Sequence, residues 1–150
     1  MKILVSWSTG KDSAWMLHVL RQMYPGAAAG LLTTVNEAFD RVAMHAVRRA
    51  LLTAQAEAAG LPLEIVYLPW PCSNAQYEAL MSKAVEGFLA KGFTHVAFGD
   101  LFLEDVRRYR EERLAGTGLT PLFPLWKTKP TRELAREMID AGVKAYLTCV

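Results

Sequence analysis

The stretch Ser6-Trp7-Ser8-Thr9-Gly10-Lys11-Asp12-Ser13 decides how this chain is read. It follows the apolar run Ile3-Leu4-Val5 and leads into a helical pattern that begins near Asp12. Strand, tight polar turn, helix is the geometry of an anion site. The first amides of a helix have no partner within it and point at whatever lies in front. Gly10 lets the main chain approach a ligand closely. Lys11 adds a full positive charge, and Ser8, Thr9 and Ser13 offer hydroxyls. Asp12 suits such a site if it holds a metal or orients a neighbour. The plain alternative is a Ser/Gly turn closing a helix, with Ser8 or Asp12 as its cap.

Outward from this stretch the chain alternates strand and helix patterns, with no internal repeat and no low-complexity linker. Lys2 to Ser8 reads as a strand and Asp12 to Tyr24 as a helix, closed by Pro25-Gly26. Ala28 to Val35 is a second buried strand, and Asn36 to Arg41 a polar connection. From Val42 to Ala59 the apolar residues recur at helical spacing, and Gly60 supplies a left-handed cap. Leu63 to Leu68 is the third strand. After Pro69-Trp70-Pro71 comes an amphipathic helix with Tyr77, Leu80, Met81, Ala84, Val85, Phe88 and Leu89 on one face. His95 to Gly99 is the fourth strand and Glu104 to Leu114 a charged helix. Leu119 to Trp126 carries Pro121 and Pro124, so it is an edge strand or an extended loop. Pro130 opens the last helix, with Leu134, Ala135, Met138 and Ile139 inward, and Val143 to Val150 reads as a final strand.

This alternation predicts an α/β fold: a doubly wound, mostly parallel, Rossmann-like sheet of five to six strands with helices on both faces. Ligands of such sheets bind at the carboxyl ends of the strands, where the strand order reverses. The loop after the first strand and Gly99-Asp100 after the fourth are therefore expected at one edge.

Composition narrows the class. The chain has 150 residues, 52% of them hydrophobic, which is enough for one domain with a core and excludes a disordered chain. A formal charge of +2 does not by itself argue for nucleic acid. Met1-Lys2 is followed by three apolar residues, too few for a signal peptide, and no apolar run approaches the length of a membrane span. Cys72 and Cys149 form no CxxC pair and fit reduced thiols of a cytoplasmic protein. The cysteines and histidines show no zinc-ligand spacing.

Other residues offer chemistry. Gly99 at a strand end admits a ligand, and Asp100 beside it is able to hold Mg²⁺ or a polar substrate; the alternative is a turn glycine with Asp100 capping the next helix. The helix around Arg107, Arg108, Arg110, Glu111 and Arg113 reads either as an anion clamp or as a solvated face with internal ion pairs. His45, near the start of the second helix pattern, is placed to reach a nucleotide or to be a half-buried helix histidine. Trp70 in Pro69-Trp70-Pro71 and Trp126 in Pro124-Leu125-Trp126 either line a pocket or plug a core edge.

The loop is not a Walker A motif, since Val5 and Asp12 stand where that motif needs Gly and Ser or Thr. Ser8, Gly10, Asp12 and Ser13 instead resemble the Ser-Gly-Gly-x-Asp-Ser PP-loop of the ATP pyrophosphatases, with Thr9 in place of the first Gly. That departure is mild if residue 9 has negative φ and serious if it needs positive φ. Further stretches extend the likeness: Arg41 to His45, Gln55 to Leu63, Phe98-Gly99-Asp100-Leu101, Tyr109-Arg110-Glu111, Gly118-Leu119, Pro124-Leu125-Trp126 and Ala141-Gly142. Together they resemble the bacterial-type branch of the diphthine–ammonia ligase family over the whole chain.

The resemblance implies an adenine nucleotide alpha hydrolase-like fold and an ATP-dependent amide-forming reaction. A carboxylate is adenylated by ATP with Mg²⁺, pyrophosphate leaves, and ammonia displaces AMP. On this reading Ser8, Thr9, Gly10, Lys11, Asp12 and Ser13 hold the phosphates, and Asp12 holds the metal. Backbone of Thr33, Thr34 and Val35 meets the adenine, His45 reaches the nucleotide, and Gly99 with Asp100 faces the α-phosphate or the acceptor. Lys11, Asp12, Asp100, Arg110 and Glu111 serve the reaction, the last two in the acceptor pocket. Arg113-Leu114-Ala115 stands where family members often carry a Cys, and the family's C-terminal acceptor-side region is not in this chain, so residues 1–150 are expected to be a single ATP-binding domain. The acceptor is an unidentified carboxylate, on a small molecule or a protein side chain. Nucleic acid and membrane are not expected partners, and a homodimer is left open. Two other readings stand beside this one: a PP-loop enzyme that adenylates RNA bases, and a nucleotide-binding module without chemistry of its own.

Overall fold

The computed structural model describes residues 1–148. Cys149 and the end of the expected last strand lie outside the described residues. Among the described residues the sheet has six strands. At its centre is β1 (Ile3–Ser6), whose Ile3, Leu4 and Val5 are fully buried, as a strand covered on both faces must be. On one side β1 pairs in parallel with β2 (Ala28–Asn36), which pairs in parallel with β4 (Leu63–Leu68). On the other side it pairs in parallel with β5 (His95–Ala97), which pairs in parallel with β6 (Thr120–Leu122). The order reverses at β1, so the crevice between the ends of β1 and β5 is a topological switch point.

Helices cover both faces, as the alternation predicts. On the face of Ile3 and Val5 lie α1 (Lys11–Met23), α2 (Arg49–Ala59) and α5 (Thr131–Asp140), burying Met16, Leu20, Leu52, Ala56, Leu134 and Met138. On the face of Leu4 lie α3 (Asn74–Ala90) and α4 (Glu104–Leu114), which bring Phe88 and Leu114 against Leu32, Val66 and Val96. A capping box starts α3: Ser73 accepts from the Gln76 N–H at 3.1 Å, and the Gln76 side chain accepts from the Ser73 N–H at 2.9 Å. Among the described residues no helix is long and apolar enough to cross a membrane.

Three local expectations are corrected. The second helix begins at Arg49, not Val42. Arg41–Val42 is a short antiparallel strand, β3, paired with Val35 and Asn36. Met44 and Ala46 then take left-handed φ of 67° and 54° in a turn closed by Val42 N–H on the Val47 carbonyl at 2.8 Å. Helical spacing through this stretch is coincidental, because two such residues cannot sit in a right-handed helix. In α5, Ile139 faces outward, 65% exposed.

No strand forms over residues 143–148. One reason lies in β6. Thr120 N–H and the Leu122 carbonyl both bond toward β5, so Pro121 faces the outer edge. Proline has no N–H, and that edge offers a further strand an acceptor but no donor.

Gly30 in β2 is a packing requirement. A Cβ there would lie 3.1 Å from Phe93 Cζ and 3.2 Å from Leu4 Cδ1, inside a closed core. We expect Gly30→Ala to cost about 1–3 kcal/mol through overpacking, read as a lowered Tm; an unchanged Tm would mean that the Phe93 ring yields freely.

Candidate functional site

The segment from Ser6 to Ser13 sits where β1 ends and α1 begins. Gly10 is the N-cap of α1 and its side offers no capping hydrogen bond, so the amides of Lys11, Asp12 and Ser13 have no side-chain partner from the cap. The alternative of a self-capped turn does not describe this helix. Ser13, almost fully buried, donates or accepts with the Ser8 hydroxyl at 2.8 Å and accepts from the Ser8 N–H at 2.9 Å. Those contacts curl the loop over the helix end. Lys11 Nζ bonds the Asp12 carboxylate at 2.7 Å, with both side chains partly exposed, so the loop's cation and anion are paired with each other.

Thr9 has φ of 69°. It is thus in the left-handed region that a glycine tolerates and a β-branched residue resists. Its hydroxyl donates to the Ser8 carbonyl. A further support was missed in the sequence reading. Gln55, on α2, accepts from the Trp7 indole N–H at 2.8 Å and donates to the Thr9 carbonyl at 3.2 Å, so one amide ties the strand end to the strained residue. The only signal available in sequence was its place in a stretch resembling the family. Thr9→Gly should raise stability. Left-handed backbone costs an L-residue roughly 1–2 kcal/mol, against about 0.5–1 kcal/mol of extra chain entropy for glycine. The expected result is a Tm higher by about 1–4 °C; a lower Tm would mean that the Thr9 hydroxyl outweighs the strain.

The neighbouring strands present further groups. Trp7 N–H bonds the Leu32 carbonyl at 2.7 Å, continuing the ladder, but the Trp7 carbonyl accepts the buried Thr33 hydroxyl at 2.7 Å. The Thr34 carbonyl accepts from Ala43 N–H at 2.9 Å. Of the three residues expected at the adenine, Thr33 and Val35 are buried and Thr34 is half-buried. His45 is exposed in the turn after β3, not on a helix, and its N–H bonds the Ala43 carbonyl at 2.8 Å.

Gly99 and Asp100 arrive from β5. A Cβ on Gly99 would lie 3.7 Å from the Asp12 carbonyl oxygen, so the end of β5 packs against the first turn of α1. The two stretches expected at one edge do meet. Asp100 accepts from Arg110 Nε at 2.6 Å, and the Arg110 guanidinium lies 4.4 Å from the centre of the Phe98 ring. Glu111 does not join them. It pairs with Arg107 at 2.9 Å, and Arg107 in turn covers Phe123 and Trp126 at 4.5 and 4.9 Å.

Mg²⁺ takes one or two carboxylates together with substrate phosphates and keeps several waters, so it needs no cage of protein ligands. Asp12, 37% exposed at the helix end, meets that requirement; among the described residues no group of three His, Cys, Asp or Glu side chains forms an all-protein site.

No protein-family model matches the chain, and no curated protein matches it. Among solved structures it is similar to the U34-tRNA thiolase NcsA from Methanococcus maripaludis with its [4Fe-4S] cluster, at 19% identity and a TM-score of 0.55. The match covers 96% of this chain and 59% of the thiolase, so the chain spans about three-fifths of that protein's length. Clusters of that kind are held by about four thiolates, and this chain has two cysteines. What the two proteins share is the fold, a mostly parallel α/β sheet of the adenine nucleotide alpha hydrolase-like type.

Proposed function

We propose that the chain binds ATP with Mg²⁺ at the carboxyl edge of β1 and β5, cleaves it between the α and β phosphates, and makes an amide from a carboxylate and ammonia. The observation that carries this reading is the uncapped first turn of α1, with Ser8, Lys11 and Ser13 around it and Gly99 packed beside it. A carboxylate oxygen attacks the α-phosphorus. The bond from that phosphorus to the bridging oxygen breaks, and pyrophosphate leaves with the electron pair. Ammonia then adds to the acyl carbon, AMP departs, and the surplus proton passes to solvent.

Charge grows on the departing pyrophosphate, and the groups that stabilise it can be ranked. The dipole of α1 is worth about 0.3–1 kcal/mol near a surface. A hydrogen bond to a charged group contributes about 1.5–3 kcal/mol. The loop amides, the serine hydroxyls and Lys11 therefore outweigh the dipole. Mg²⁺ held by Asp12 and phosphate oxygens would neutralise part of the remaining charge. Backbone of Thr33, Thr34 and Val35 meets the adenine, and Asp100 with Arg110 faces the acceptor. His45 and Glu111, both exposed, stand outside this scheme.

A second reading, adenylation of an RNA base, is favoured by one feature. Phe39 and Trp70 are exposed on the loops after β2 and β4, with ring centres 5.9 Å apart, which is a stacking platform for an unpaired base. RNA binding that falls steeply with salt would establish it in place of the amide-forming reading.

The test is thermal stability with ATP–Mg²⁺, pyrophosphate, AMP and GTP. At about a hundred times its Kd a ligand adds roughly 2.7 kcal/mol, or about 5–10 °C for a chain of this length. Shifts of that size with ATP and pyrophosphate but not GTP are expected. No shift with any nucleotide would overturn the proposal.

A further inference from the structure

Between α3 and α4, on the sheet face opposite α1, lies a cleft of about 360 Å³ that the loop chemistry does not use. Its size is within the range of about 300–1,000 Å³ found for small-molecule sites. Both helices run back from the carboxyl edge of the sheet, so the cleft has two unlike ends. Toward the amino edge it is lined by Val85, Leu89 and Leu114, together with Glu86 and Thr117, while Phe98, just past the carboxyl end of β5, lies under the Arg110 guanidinium. Leu89 lies close to Gly118, just before β6, which places that end far from the loop. Toward the carboxyl edge stand Tyr77, Tyr109 and Arg110, and Arg113, one residue before Leu114 at the end of α4, reaches back to Glu78 near the start of α3.

The polar end is connected to the proposed reaction site. Arg110 lines the cleft and also holds Asp100, and Gly99 next to Asp100 packs on the first turn of α1. Arg110 spends its Nε and one Nη on Asp100 and keeps further donors free. Arg113 meets Glu78 at 3.5 Å, a loose pair on the rim. The acids here are Asp100 and Glu78, each against an arginine, and Glu86, exposed at the margin. Burial raises the Tyr77 phenol above its ordinary value, so its hydroxyl stays a donor. Two guanidinium groups and two phenols around a slot lined besides mostly by apolar side chains, with Ser82, Glu86 and Thr117 interspersed, suit an anion attached to a largely apolar body.

We propose that this cleft holds the apolar body of the acceptor, a medium-sized amphipathic carboxylic acid, and presents its carboxylate at the mouth between Arg113 and the Arg110–Asp100 pair. This rests on the amide-forming reading for what happens to the carboxylate, but not for the binding itself. It narrows the acceptor to acids with an aliphatic or aromatic tail.

The test uses butyrate, hexanoate, octanoate and octanamide as probes, with binding to the full chain measured by calorimetry without nucleotide. Affinity is expected to rise about fourfold per methylene along the acid series, and octanamide to bind about tenfold more weakly than octanoate. Val85→Trp, which fills the slot, should abolish octanoate binding while leaving the ATP–Mg²⁺ thermal shift in place. Should that variant not fold, Arg113→Gln carries the test, bringing octanoate and octanamide to about equal affinity. Acids that bind without chain-length dependence, an amide that binds as well as its acid, or octanoate binding unchanged in the filled variant would each overturn the proposal. A dimer that Val85→Trp dissociates, with no acid bound, would also overturn it and make the cleft an interface. Octanoate binding without any nucleotide shift would leave the cleft standing and remove the ATP reading; a nucleotide shift without acid binding would do the reverse.

Discussion

Asp12→Asn should abolish the magnesium dependence of ATP binding and lower AMP formation by about 10²–10³-fold, the scale seen when a single preorganised charge-stabilising group is lost. The carboxylate has two jobs. It is the metal's protein ligand in the proposed function, and it pairs with Lys11 at 2.7 Å. The substitution separates them. Removing the negative charge frees Lys11, so pyrophosphate in metal-free buffer should bind slightly more tightly than to the unmodified chain. An exposed pair is worth about 0–1 kcal/mol, so the gain is at most about fivefold. Calorimetry with pyrophosphate, with and without Mg²⁺, reads both effects. A variant that keeps the full magnesium response would show that Asp12 serves Lys11 alone.

Gln55→Leu should lower stability by about 2 kcal/mol and weaken pyrophosphate binding as well. Leucine has a similar bulk but can neither accept from the Trp7 indole nor donate to the Thr9 carbonyl. A buried polar group left without its partner costs about 1–3 kcal/mol; both groups here are part-buried, which limits the sum. The Tm should fall by roughly 4–8 °C. The effect on binding follows from position. Gln55 touches no proposed ligand atom, yet it holds the carbonyl of the one loop residue in left-handed backbone. Gln55→Glu keeps the acceptor for Trp7 and loses the donor to Thr9. If Gln55→Glu binds pyrophosphate as the unmodified chain does, the tie to Thr9 has no positioning role.

The sheet and the meeting of its two loops were legible because they rest on strong signals. Ile3-Leu4-Val5 is an unbroken apolar run before a polar turn, and Gly99-Asp100 ends another strand of the same sheet. Parallel α/β topology then brings both to one edge without reference to side chains. What escaped was local geometry. Val42 looked helical by spacing, but its partners are Val35 across β2 and Val47 across a turn, contacts that no periodicity encodes. Thr9 was recognised as a departure, yet the sign of its φ is a property of the folded loop. Gln55 lay in sight as one polar residue on a helix; its role depends on a contact 46 residues away in sequence. The α3–α4 cleft was invisible for a related reason: Tyr77 and Val85 were counted as core, and they line a space left between two helices.

Pro121 has a consequence for assembly. The three residues of β6 turn their two flanking positions toward β5, and proline occupies the one that faces out. A strand from a second copy would find no amide to accept from along that side. Association by β-augmentation, whether as an orderly dimer or as runaway sheet growth, is therefore disfavoured at this margin of the molecule. Copies of this chain that do come together have better prospects through helical faces than through this strand.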